Sequence, residues 1–235
     1  MGGYSSEFEI SLKSGNVVYQ YLDTTKYVGY RIHLLKEGWF YVTDDNQRYP
    51  VDRNDFSVAL NGQKITFDAV FNAVHGTPGE DGLMQAYFKL LQIPQTSCGY
   101  YQAALTFNKR DFLSVLKPYG IKTAQSYYLN EGDAIDVLKI IETVGLPCFV
   151  KPNRSGSSFG ISKVKSEQEL IPAIETAFKE DNEIIIEQFL DGTEVSVGVI
   201  NFRNEIRVLP MTEIVSENEF FDYEAKYLGK SQEIT

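Results

Sequence analysis

The 235-residue chain carries a formal net charge of −10, with 22 Lys and Arg against 32 Asp and Glu, so it lacks the basic face that a nucleic-acid backbone demands through counterion release. Hydrophobic residues make up 43% of it, enough to build a core in one large or two small domains, and no run of about 18 apolar residues that would enter a membrane occurs. Two cysteines, Cys98 and Cys148, stand far apart, which fits free, buried thiols in a reducing compartment; without a basic-then-apolar leader, the expected location is cytoplasmic.

Met1-Gly2-Gly3-Tyr4-Ser5-Ser6-Glu7 opens the chain, and Ser6 with Glu9 has capping-box spacing ahead of a helix expected through about residue 18. A Gly-Gly turn entering a helix ordinarily follows a strand, so a preceding strand is expected outside this chain. Glu7 falls in the first helical turn, where the dipole favours an acid, and an active-site role is equally open on local grounds. Residues 30–35 and 39–42 read as two strands around the turn Lys36-Glu37-Gly38. The largely apolar run 67–74 has the pattern of a parallel-sheet strand covered on both faces. It leads into His75-Gly76-Thr77-Pro78-Gly79-Glu80-Asp81-Gly82, the position at which open α/β sheets bind ligands. His75 there can be a turn residue or a site residue. A helix over 83–91 presents Leu83, Met84, Tyr87, Phe88, Leu90 and Leu91 on one face.

A helix over about 103–116 carries Asn108-Lys109-Arg110 and ends at Pro118-Tyr119-Gly120. A strand over 124–129 and a helix over about 134–143 follow, and Gly145-Leu146-Pro147 resets the chain. Cys148-Phe149-Val150 then runs into Lys151-Pro152-Asn153-Arg154-Ser155-Gly156-Ser157-Ser158-Phe159-Gly160, and Ile161-Ser162-Lys163-Val164 alternates out of it, a turn joining two strands. Gly and Ser in such a turn offer backbone N–H and hydroxyl donors to an anion, with Lys151 and Arg154 beside them. The phosphate loop G-x-x-x-x-G-K-[ST] requires a helix directly after it, so this is a different device. A plain hairpin turn and a movable phosphate cover both satisfy the local pattern. Ser166 and Glu169 form a second capping box for a helix to about residue 178. Residues 183–190 read as a buried strand containing Glu187, an acid that is costly there unless paired or solvated. Strands over 194–200 and 206–214 precede a polar and aromatic stretch, 216–235, too apolar for a free tail.

His75-Gly76-Thr77-x-Gly79-Glu80-Asp81-Gly82, Lys151-Pro152-x-Arg154-x-Gly156-Ser157-Ser158-x-Gly160 and Tyr223-Glu224-Ala225-Lys226-Tyr227 resemble successive signatures of the D-alanine–D-alanine ligases. With Gly2-Gly3-x-Ser5-x-Glu7, four motifs occur in the family's order across nearly the whole chain. The resemblance implies the ATP-grasp fold, a mixture of α/β and α+β. It divides into an N-terminal Rossmann-like substrate domain over 1–98, a central lobe with the lid hairpin over 99–187, and the start of a C-terminal lobe over 188–235. It implies ATP-dependent joining of two D-alanines through an acyl phosphate, for peptidoglycan precursor synthesis, by a homodimer. Lys109, Lys151 and Lys226 then fall to the nucleotide, chiefly its phosphates, with Ser158 in the hairpin above them. Glu187 and Leu190 fall to adenine and Glu194 to the ribose. Glu7, Ser157 and Tyr227 form a catalytic hydrogen-bonded set at the first D-alanine, and His75 lies near its carboxylate. Family members hold Mg2+ (or Mn2+) through an acid and a Glu-x-Asn segment that this chain does not match, so the chain by itself is expected not to turn over. The aromatic loop at Tyr227 is of the dipeptide-forming rather than the D-lactate type. Two other readings share the nucleotide half: a different ATP-dependent carboxylate–amine ligase, departing at Glu7, His75 and Tyr227, and a non-catalytic nucleotide-binding module.

Overall fold

The computed structural model describes residues 1–216 and 231–234. The chain divides into two compact units, Met1–Thr123 with Asn153–Gly156, and Ala124–Pro152 with Ser157–Thr235.

In the first unit, helix α1 spans Phe8–Gln20 with Glu7 at its N-cap. That start lies one residue beyond the expected cap at Ser6, which puts the Ser6–Glu9 box out of register; Ser5 Oγ instead accepts from the Glu7 amide at 3.2 Å. Five strands, β1 Ile32–Leu35, β2 Gly38–Val42, β3 Arg48–Asp52, β4 Ser57–Leu60 and β5 Gln63–Ile65, form an antiparallel meander in sequence order. The β4–β5 connection is Asn61-Gly62 at φ 50° and 78°, the left-handed pair that a two-residue hairpin turn requires. Leu34, Val51, Phe56, Val58, Met84 and Phe88 build the core under this sheet. Edge-to-face ring pairs such as Phe56–Phe88, 4.9 Å between centroids, add about 0.5–1.5 kcal/mol each beyond area burial.

Residues 67–74 do not form the expected strand, and Asp68 sits in a bend. Val70 makes an isolated parallel bridge to Gln95, donating to Pro94 O at 2.8 Å and accepting from Thr96 N at 3.2 Å. Ala69, Phe71 and Ala73 border a cavity of about 440 Å³ shared with Ile32 and Leu34, and the isolated bridge at Val70 falls short of the consecutive pairings that make a ladder. Helix α2, Leu83–Leu90, starts from Gly82 at φ 90° and buries Met84, Gln85 and Phe88; Leu83 and Leu90 remain exposed. The single helix expected over 103–116 is two, α3 Tyr100–Phe107 and α4 Lys109–Leu116. Asn108 breaks them at ψ 100° and caps α4 by accepting from Asp111 N at 3.1 Å. Asparagine's amide competes for backbone donors, which makes it a better cap than a helix interior residue.

In the second unit, β6 Ser126–Asn130, β7 Cys148–Pro152, β8 Ser162–Val164 and β9 Glu183–Gln188 make an antiparallel sheet ordered β6-β9-β7-β8. Helices α5 Val137–Val144 and α6 Glu167–Phe178 pack on it, burying Ile140, Val150, Leu170, Ile174, Ile184 and Ile186. Asp136 caps α5 by accepting from Lys139 N at 3.1 Å, which starts that helix later than expected. Ser166 Oγ meets Glu169 Oε1 at 3.0 Å while Glu169 Oε2 accepts from Lys165 N at 2.8 Å, a capping box displaced one residue upstream. Strands β10 Val195–Phe202, β11 Glu205–Ser216 and β12 Ser231–Ile234 form a separate antiparallel sheet. Cys148 is buried as expected, but Cys98 is exposed in the turn before α3 rather than filling a core. Among the described residues no helix is long and apolar enough to cross a membrane.

Candidate functional site

Short polar side chains fasten the start of the first unit to residues 67–82. Gly2 N donates to the fully buried Ser11 Oγ at 2.8 Å, and Ser11 Oγ donates to Ala73 O at 2.7 Å. Tyr4 N donates to Thr77 O at 2.8 Å and Ser5 Oγ to His75 O at 3.2 Å. Glu7, at the entry of α1, is thereby enclosed to 2% exposure. Two glycines wall its carboxylate. A Cβ at Gly76 would stand 2.7 Å from Glu7 Oε2, and one at Gly156 would stand 2.8 Å from Oε1.

His75 Nε2 lies 3.0 Å from Ser14 Oγ of α1. Gly76 N donates to Glu80 Oε2 at 2.7 Å. Burial pushes the Glu80 carboxyl above its ordinary range, with the charges of Glu7 and Asp81 adding and the Gly76 N–H and His75 opposing; the residue is still exposed in part, so solvent moderates the effect.

Lys109, the first residue of α4, donates through Nζ to Ser155 O at 2.7 Å and to Asn153 O at 3.3 Å. Asn153 is fully buried; its Oδ1 accepts from Arg110 N at 2.9 Å and its Nδ2 donates to Asn108 Oδ1 at 2.9 Å. The leading part of the Gly/Ser turn, Asn153–Gly156, is thus tied to the first unit, while Ser157 begins the return into the second. The turn that the sequence allowed as a plain hairpin or a movable cover is anchored at its leading residues.

In the second unit, Lys151 Nζ pairs with Glu187 Oε2 at 2.7 Å. The β7–β9 register sets Phe149 opposite Glu187, so Lys151, two residues along, reaches the acid diagonally on the same face. The Phe149 ring centroid lies 5.3 Å from the ammonium. Pairing meets the cost expected of a charge in this strand. Ser157 and Ser158 sit at φ 49° and 63°, a conformation that costs a non-glycine residue about 1–3 kcal/mol and that collects at ligand-clamping loops. Leu190 and Glu194 are exposed in the segment between β9 and β10. Lys226 and Tyr227 lie outside the described residues. Among the described residues no group of three or more His, Cys, Asp and Glu could hold a metal ion.

Glu7 and the 75–82 and 153–156 loops are therefore brought together in one unit, with Lys109 at the root of the turn, and Lys151 and Glu187 in the other. Sequence reasoning missed Ser11, Ser14 and Asn153. Asn153 was in view inside the Lys151-Pro152-Asn153 run, but nothing local marks it as buried; Ser11 and Ser14 follow one another at helical spacing from Glu7, the available hint that they share its neighbourhood. A buried, glycine-walled carboxylate suits a small cation such as an ammonium, and a turn with donors and flanking lysines suits phosphate.

Residues 1–98 match the family described as D-ala D-ala ligase N-terminus, and residues 115–235 match that described as D-ala D-ala ligase C-terminus. A D-alanine–D-alanine ligase of Flavobacterium johnsoniae is 76% identical over 235 residues, which is 100% of this chain and 73% of the relative. D-alanyl-alanine synthetase A of Vibrio cholerae has a TM-score of 0.83 at 30% identity, covering 99% of this chain and 71% of that one. The D-alanine–D-alanine ligase of Bacillus anthracis complexed with ATP has a TM-score of 0.71 at 26% identity, covering 99% of this chain and 67% of that one.

Proposed function

This chain belongs to the D-alanine–D-alanine ligase family, and from that premise we propose that it serves the ADP-forming ligation of two D-alanines into D-alanyl-D-alanine for peptidoglycan precursors. ATP gives its γ-phosphoryl group to the carboxylate of the first D-alanine; the bond to ADP breaks and an acyl phosphate forms. The amine of the second D-alanine attacks the acyl carbon, loses a proton, and expels phosphate together with the carboxylate oxygen that had been phosphorylated. Two anions must first be brought together and a neutral amine then admitted, so charge neutralisation, positioning and shelter from water do most of the work.

Glu7 receives the ammonium of the first D-alanine, a role that its burial between Gly76 and Gly156 supports. Ser157 and Tyr227 complete the hydrogen-bonded set with it, and His75, its ring engaged by Ser14, stands near the substrate carboxylate. Lys109, Lys151 and Lys226 neutralise the phosphates, and Ser158 covers them. Glu187, which fixes Lys151, meets adenine with Leu190, and Glu194 takes the ribose. Mg2+ or Mn2+ is the family's counter-cation, but the described acids and histidines do not fit one, and none of these steps is routed through it. We place the domain borders after residues 98 and 187 and the protein, as a homodimer, in the cytoplasm.

The observation that carries this reading is the enclosed Glu7 carboxylate. ADP formation by the full-length protein, followed with ATP and a panel of D- and L-amino acids, tests it. D-alanine is expected to sustain turnover where L-alanine does not. Equal turnover with L-amino acids would favour a different carboxylate–amine ligase, and no amino-acid dependence would favour a non-catalytic nucleotide-binding module.

A further inference from the structure

We propose that Gly156 is a positioning residue for Glu7: its missing side chain is the wall that sets where the Glu7 carboxylate lies. The proposal rests on the reading that Glu7 meets the ammonium of the first D-alanine. Gly76 and Gly156 both face that carboxylate, but for different reasons. Gly76 lies at φ 65°, so its backbone alone favours glycine. Gly156 is absent from the left-handed positions, and conformational freedom does not account for a glycine there. Its surroundings do. The three atoms nearest to a Cβ built on Gly156 all belong to the Glu7 carboxyl group, Oε1 at 2.8 Å, Oε2 at 3.2 Å and Cδ at 3.3 Å.

Adding that methyl group forces something to move, and the structure points to Glu7. The wall is fastened by Lys109 Nζ to Ser155 O and by Asn153 to Arg110 N and Asn108. The obstructing atoms are the far end of a flexible side chain, so the fold can persist while the carboxylate shifts. At 2% exposure the carboxylate cannot turn out into bulk solvent, so its shift stays within the enclosure that Gly76 and Gly156 wall. A misplacement on the order of 1 Å costs about 100-fold when geometry is critical.

A double-mutant cycle in the full-length protein tests this. Gly156→Ala is expected to raise KM for D-alanine and to lower kcat/KM by about 10–100-fold, with the ATP KM and the thermal midpoint little changed. In a Glu7→Ala background the same substitution should cost nothing further, because the atoms it displaces are gone. In a Glu7→Asp background its cost should shrink, because a carboxylate one methylene shorter clears the methyl group; this last arm reports on contact rather than on folding. An equal loss in all three backgrounds, or a parallel rise in the ATP KM, overturns the proposal and leaves the role of Glu7 standing. Unchanged kcat/KM in Glu7→Ala alone overturns both.

Discussion

Replacing Glu187 by Gln removes the charge that holds Lys151 and leaves a hydrogen-bonding side chain of nearly the same shape. The ammonium and carboxylate are 2.7 Å apart, with the two side chains 26% and 15% exposed. At that separation and an effective dielectric constant near 20, the gross attraction is about 6 kcal/mol. Most of it is returned as desolvation of two sheltered charges. The net coupling should fall above that of exposed pairs and below that of fully buried ones, about 1–2 kcal/mol. A cycle of Glu187→Gln, Lys151→Met and the double variant, measured by urea unfolding, reads the coupling directly. Because Lys151 is also assigned to phosphate and Glu187 to adenine, both single variants should raise the ATP KM. A coupling below about 0.3 kcal/mol, within the scatter of non-interacting sites, would refute the reasoning, as would an ATP KM left unchanged in either single variant.

Burial, with neighbouring positive charges including Arg31 and Arg48, lowers the His33 imidazole to about 4 from its ordinary 6.5. The unfolded chain therefore binds more protons between those values, and stability contributed by neutral His33 is lost as pH falls through that window, by about 1–2 kcal/mol after allowing for its partial exposure. His33→Asn should flatten the dependence of the urea midpoint on pH between 4 and 6.5; an unchanged slope would contradict this. Asn153→Ala strips partners from Arg110 N and Asn108 and should lower stability by about 1–3 kcal/mol, read as a lower urea midpoint. The Tyr223-Glu224-Ala225-Lys226-Tyr227 run implies that D-alanine outcompetes D-lactate as second substrate at neutral pH; preferential ester formation in a phosphate-release assay with product analysis would overturn that.

Legibility in the sequence followed how local the cause was. The turn from Cys148-Phe149-Val150 through the Gly/Ser run to Ile161-Ser162-Lys163-Val164 is written in adjacent residues, and β7 and β8 pair as a hairpin. The need of Glu187 for a partner was equally readable, because a charge in an apolar strand must be compensated; that the partner is Lys151 depends on strand register and was not. Asn108 shows the opposite failure. Helical periodicity runs through it, but its side chain caps α4 and splits the helix. Strands β3 to β5 were not read because they are short, only three to five residues each, although Asn61-Gly62 was a usable hairpin signal. At the site, Glu7 and His75 were found through their motifs, while Gly156 stood inside one without being singled out. The approach of Gly76 and Gly156 to Glu7 joins segments about 70 to 150 residues apart in the chain, a distance that no periodic pattern encodes.

The acyl phosphate is the centre of the proposed chemistry, and oxygen labelling tests it most directly. With D-alanine carrying 18O in its carboxylate and ATP, the full-length protein should release inorganic phosphate containing one labelled oxygen for each dipeptide made, alongside ADP. Phosphate free of label, or release of AMP in place of ADP, would contradict the account.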